Sequence, residues 1–125
     1  MPPALVTGIV IQREQADCAV VALAMYLGIP YEEVLRAVVV TDRHQGRTGL
    51  WTRTLQRIAR KLGHALKVRK TFDLENDYGV LRLPDHAVVL RNGLVIDTNA
   101  TIWDADEYLS WRKVRQSHCS LLVVE

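Results

Sequence analysis

From Cys18 to Leu27 the chain reads C-A-V-V-A-L-A-M-Y-L, an unbroken apolar run closed by Gly28. A helix with this sequence has no polar face to offer to water, so the rest of the chain must surround it. It is far shorter than the roughly 20 residues needed to cross a bilayer. The run therefore demands a soluble fold built around one central, buried helix. Asp17 stands directly before it, where a carboxylate can accept hydrogen bonds from the free N–H groups of a first helical turn. Gly28 is a natural stop. The expected helix is buried along its length, with Cys18 in a first turn that stays exposed.

The 125 residues suffice to build one core around such a helix, and we expect a single domain over residues 1–125. After Gly28, Pro30 suits a helix start, and Glu32 and Glu33 favour a helix N-terminus. Residues 41–49 read as loop. The spacing of Leu50, Leu55, Ile58 and Leu62 predicts a third helix over about residues 50–62, stopped by Gly63. Residues 5–11 and the segment H-A-L-K-V-R-K read as extended, and L-E-N-D-Y-G as loop. The best strand signal is H-A-V-V-L-R-N-G-L-V-I-D-T-N-A. Two β-branched runs flank Asn92-Gly93, a pair that tolerates the positive φ angles of a tight hairpin turn. D-A-D-E-Y-L-S-W predicts a short helix capped by Asp104, and C-S-L-L-V-V-E a final strand. Three helices followed by antiparallel strands give an α+β fold.

The net charge of +2 gives no reason to expect a nucleic-acid partner. Cys18 and Cys119 are too few and too far apart for a disulfide framework, which fits free thiols in a reducing, cytoplasmic setting. The apolar N-terminal segment lacks the basic leading region of a signal peptide. Grouping His44, His64, His118 and Cys119 around a metal needs ligands from four segments with no recognisable spacing, so no metal and no cofactor is expected.

Cys18 has two readings. Free cysteine behaves as a small buried hydrophobe. A helix N-terminus, however, stabilises a thiolate, and the thiolate is the form that attacks carbonyls. Such a nucleophile needs a base, and His86 opens the predicted hairpin. It also needs a group to orient that base. With a two-residue turn at Asn92-Gly93, Arg91 pairs with Leu94 and His86 falls opposite Asn99. Alternation then puts His86, Val88, Asp97 and Asn99 on one face, with Asp97 diagonal to His86. Asp97 and Asn99 both remain candidates on this argument. Negative charge developing on the carbonyl oxygen requires donors. The Cys18 N–H supplies one, and Gln12 or Gln15 the other.

These residues resemble a known family. Q-R-E-Q-A-D-C-A-V-V-A-L-A-M is similar to the nucleophile segment of the bacteriocin-processing peptidases, papain-like cysteine peptidases that cleave after a double-glycine leader. In that family a Gln, five residues and a Cys in an Asp-Cys-Gly context precede an apolar helix. Gln12 and Cys18 keep that spacing. G-R-T-G-L-W-T-R-T-L-Q-R-I-A-R-K-L-G resembles the family's Gly-Thr stretch and following helix. H-A-V-V-L and V-I-D-T resemble its His strand and the Asp that ends the next strand. The resemblance covers most of the chain, in order. It implies a papain-like α+β fold with Cys18 as nucleophile, His86 as base, Asp97 rather than Asn99 as third member, and Gln12 rather than Gln15 in the oxyanion hole. The implied substrate is a peptide or protein. Ala19 replaces the usual Gly after the cysteine, Thr98 replaces the Pro that often follows the aspartate, and no transporter region follows. These departures bear on leader specificity and leave the catalytic set whole. The same machinery equally serves deamidation, isopeptide cleavage or cell-wall peptide hydrolysis, and a silent relative would only bind peptide.

Two further groups have bland and functional readings. Arg53, Arg57, Arg60 and Lys61 form one side of the third helix, as a solvated face or as a docking surface for an acidic partner. Trp51, Trp103 and Trp111 are core anchors, or Trp103 lines a substrate groove.

Overall fold

The computed structural model describes residues 18–38, 52–84 and 86–125. The extended segment expected at residues 5–11, the Asp17 cap, the loop at residues 41–49, Leu50 and Trp51 lie outside the described residues. Helix α1 runs over Cys18–Leu27, α2 over Tyr31–Ala37 and α3 over Thr52–Lys61. Strands β1 (Leu66–Arg69), β2 (Tyr78–Leu83), β3 (His86–Arg91), β4 (Leu94–Ile96) and β5 (Ile102–Asp104) follow. Helix α4 spans Ala105–Arg112, and β6 (Ser120–Val124) ends the chain. Gly28 and Gly63 stop α1 and the α3 region with φ of 68° and 90°, as the sequence predicts.

The strands form one antiparallel sheet in the order β1-β6-β2-β3-β4-β5. On one face α1 is buried, with Val20, Val21 and Leu23 packed among Leu66, Val80, Ala87, Val89 and Leu122 of the sheet. Tyr31 and Val34 of α2 and Leu55, Ile58 and Ala59 of α3 complete that core. Each large aliphatic side chain buried here stabilises the fold by about 1.5–3 kcal/mol. On the other face Ala105, Tyr108 and Leu109 of α4 cover Leu81, Leu83, Val88, Leu90, Val95 and Leu121. Successive residues of β2 and β3 thus serve opposite cores, as strand alternation requires. Among the described residues no single helix is long and apolar enough to cross a membrane.

Strand β2 lies between β3 and β6, and its first residues fall in the stretch read as loop. Both of its faces are covered, so Val80, Leu81 and Leu83 make a nearly continuous apolar run without the period of two that marks a half-exposed strand. Gly79 admits β6 closely: a Cβ there would meet the Leu122 carbonyl oxygen at 2.5 Å.

The β3–β4 hairpin turns at Asn92 (φ 49°) and Gly93 (φ 82°), and Arg91 pairs with Leu94 as expected. The ladder ends earlier than the sequence suggests. Val89 pairs with Ile96, and the chain then leaves the strand. The Ala100 N–H bonds the Asp97 carbonyl at 3.1 Å, and the Asp97 N–H bonds the Thr101 carbonyl at 2.9 Å. This turn feeds β5, so His86 has no residue opposite it on β4, and the expected His86–Asn99 pairing does not form. Helix α4 is capped as predicted, with the Glu107 N–H donating to the Asp104 carboxylate at 3.3 Å.

Candidate active site

Three chain segments converge at one end of the sheet. Cys18 is the first residue of α1, His86 the first of β3, and Asp97 the first after β4. The His86 Nε2–H donates to Asp97 Oδ1 at 2.8 Å. Nδ1 is then the ring nitrogen left for the hydrogen bond that His86 shares with Cys18. The Ala87 backbone N–H also points at the Cys18 sulfur. The sequence-derived candidates Cys18, His86 and Asp97 are therefore brought together. Gln12 and Gln15 lie outside the described residues.

Cys18 departs from expectation in one respect. It is only 3% exposed, not in an open first turn, because the start of β3 packs directly against it. Burial pushes its thiol up. The His86 hydrogen bond and charge, the Ala87 N–H and the Arg82 charge outweigh this, and the net direction is down. His86 shows the complement. Burial disfavours its cation, but the hydrogen bonds to Asp97 and Cys18 raise it to about 9. Asp97 is buried, which pushes its carboxyl up. Its bonds to His86, Tyr108 and the Thr98 N–H reverse that and hold it below its usual value. All three groups are thus pulled toward their charged forms by one another and by their hydrogen bonds. The first N–H groups of a helix also lack intrahelical acceptors, so the start of α1 offers donors beside the sulfur.

Asp97 is held from several sides. The Thr98 N–H donates to Oδ1 at 2.7 Å, and the Tyr108 hydroxyl donates to Oδ2 at 2.9 Å. Arg112 Nη1 lies 3.5 Å from that hydroxyl. Asn99 does not reach the site. It is exposed, and its side-chain oxygen accepts from the Thr101 N–H at 3.2 Å within the turn. The carboxylate, not the amide, faces His86, because the strand ends one residue before Asp97.

Tyr108 is a site residue that sequence reasoning missed. Its spacing marks it as an inward position of α4, but nothing local ties it to Asp97. Trp103 is half-buried and stacks on Trp111 at 4.9 Å. Trp111 is 60% exposed, so it is not the core anchor considered from sequence. Cys119 is buried as expected, and burial pushes its thiol up, the reverse of Cys18. His118 is exposed. Arg53, Arg60 and Lys61 are exposed on α3, whereas Arg57 is half-buried and has interactions of its own. Among the described residues no three His, Cys, Asp or Glu side chains come together to hold a metal; His44 lies outside them.

No family model and no curated protein matches this sequence. Among solved structures, the chain is similar to a double glycine motif protease from an AMS/PCAT transporter, determined in complex with the leader peptide. The match covers 94% of this chain and 91% of that one, at a TM-score of 0.61 and 18% identity. At that identity the likeness is one of fold: this chain shares a mixed helix-and-antiparallel-sheet architecture with that protease.

Proposed function

We propose that this protein is a papain-like cysteine peptidase that cleaves a peptide bond through Cys18, His86 and Asp97. One observation carries the reading: His86 is hydrogen-bonded to Asp97 at 2.8 Å while its ring also bonds Cys18 at the start of α1. The Cys18 thiolate attacks the scissile carbonyl carbon, and the carbonyl π electrons move to oxygen. The Cys18 N–H and the Gln12 side-chain amide donate to that oxyanion. His86 passes its proton to the leaving amine as the carbon–nitrogen bond breaks, leaving a thioester. Water, deprotonated by His86, then releases the acyl group and restores the thiolate. Asp97 keeps the imidazole oriented and stabilises its cationic form throughout.

The likeness to a protease bound to a leader peptide favours a precursor with a double-glycine leader as substrate. Iodoacetamide alkylation, with adducts located by mass spectrometry, tests the nucleophile. Cys18 should react selectively over Cys119 and continue to react at about pH 6, where an ordinary thiol of pKa about 8.5 is almost wholly protonated. Equal reactivity of Cys18 and a free model thiol removes the basis of the proposal. A panel of leader peptides ending in Gly-Gly tests the substrate, with cleavage after the second glycine expected and Cys18→Ala inactive.

A further inference from the structure

Arg82 is the one basic residue of β2 and sits in its interior. Its neighbours Val80 and Leu81 belong to the helix-covered core and the α4-covered core respectively, so alternation puts Arg82 on the α1 face with Val80. In the ladder its Cα partner is Ala87, the residue whose N–H reaches the Cys18 sulfur, and on its other side it faces Ser120. The guanidinium Nη1 is shut off from solvent and has no hydrogen-bond partner. It stands alone in that respect among the buried side-chain nitrogens and oxygens of the described residues.

A buried cation with an unpaired N–H is costly unless a negative charge lies nearby. No described carboxylate bonds it. Among the described residues, the group that can carry negative charge beside it is the Cys18 thiol, and the two groups interact electrostatically. Burial pulls Arg82 down from the usual guanidinium value, and Cys18 partly offsets this. Among the described residues, the charged groups acting on Cys18 are His86 of β3 and Arg82 of β2. The ionisable groups of α2 and α3, which also pack against α1, are Tyr31, Glu32, Glu33, Arg36, Arg53, Arg57, Arg60 and Lys61, and none of them is among the causes that shift Cys18.

We infer that Arg82 is a positioning residue of the site, a fixed buried positive charge set beside Cys18 that favours its ionised sulfur alongside the His86 cation. The inference rests on Cys18 being the nucleophile. It adds a second, non-titrating source of thiolate stabilisation to the His86 cation. When water releases the acyl group, the thiolate is restored beside a His86 that has taken the water's proton, and Arg82 then adds a second cation that disfavours return of that proton to sulfur. Electrostatic support of this kind needs no direct contact in a low-dielectric setting.

The test is the pH dependence of Cys18 alkylation by iodoacetamide in the full chain, for wild type, Arg82→Gln, Arg82→Lys and His86→Ala. Arg82→Gln should move the midpoint upward by about one pH unit, which makes alkylation about tenfold slower at pH 6. Arg82→Lys should recover most of that at pH 6, a rescue that a purely structural role does not produce. The double variant with His86→Ala should shift further than His86→Ala alone. If Arg82→Gln does not fold, total synthesis with Arg82→citrulline removes the charge at constant shape and decides the matter. A wild-type profile unchanged in the folded neutral variant overturns the inference while leaving the nucleophile intact. A wild-type Cys18 with no thiolate at pH 6 instead overturns the cysteine-peptidase reading itself.

Discussion

The Tyr108 hydroxyl donates to Asp97 Oδ2 at 2.9 Å from the far side of the carboxylate that holds His86. Tyr108 is completely buried and belongs to the core beneath α4. A hydrogen bond to a charged group contributes about 1.5–3 kcal/mol. Tyr108→Phe should therefore lower stability by roughly that amount, read by urea unfolding. It should also raise the Asp97 pKa, because the bond favours the carboxylate. Asp97 carboxyl resonances followed by NMR through a pH titration check the second effect.

Replacing Asp97 and Asn99 separately discriminates between the two candidates that the sequence left open. Asp97→Ala removes the acceptor of His86 and should slow peptide cleavage by about a hundredfold or more, on the usual scale for losing part of an acid–base system. Asn99→Ala removes only turn hydrogen bonds and should cost about 1 kcal/mol of stability with cleavage nearly unchanged. Measuring kcat for both variants with one leader peptide settles the assignment, and a larger loss from Asn99→Ala reverses it.

Stability should depend on pH in a way set by the three charged groups. Asp97 has a lowered native pKa, so its contribution is present above the unfolded value of about 3.9 and lost as pH falls through the native one. His86 is raised to about 9, so its contribution is full below the unfolded value of about 6.5 and lost as pH rises through the native one. Cys18 is lowered, so its contribution runs the other way and is present above its unfolded value of about 8.5. Between neutrality and about pH 9 the His86 and Cys18 effects oppose each other. Cys18→Ala leaves only the His86 effect, sustained by Asp97, and its unfolding free energy should fall as pH rises above about 6.5. Urea titrations at several pH values measure the slope, and further replacing Asp97 by Asn should flatten it.

Gly79→Ala should destabilise the protein by about 1–3 kcal/mol or more, the range for forcing a methyl into a filled interior. The added Cβ would lie 2.5 Å from the Leu122 carbonyl oxygen, so β2 and β6 must part. Thermal unfolding measures the loss. A variant as stable as wild type shows that the two strands can separate freely.

The helical part of the fold was legible because it is written locally. The Cys18–Gly28 run, the Leu55 and Ile58 spacing and the Asp104 cap each carry their own signal within a few residues. The hairpin register at Arg91 and Leu94 followed from Asn92-Gly93 for the same reason. Strand β2 was not legible, since two covered faces erase the alternation that a strand normally displays. The ladder's end at Ile96 was hidden too. It depends on a turn closed by the Asp97 and Thr101 backbones, and nothing in D-T-N-A-T announces it. Of the candidate site, Cys18, His86 and Asp97 emerge together by motif and order. Tyr108 and Arg82 act through tertiary neighbours far away in sequence, and a one-dimensional pattern does not record those.

The sheet divides the interior into two compartments, and the candidate site lies on the rim of that partition. Cys18 is anchored in one compartment and Asp97, through Tyr108, in the other, with His86 as the link across the edge. Loosening either compartment should uncouple the link before the whole molecule melts. Thiol reactivity is thereby a sensitive gauge of integrity on both sides, and a ligand that wedges α4 away from the sheet would silence the cysteine without touching it.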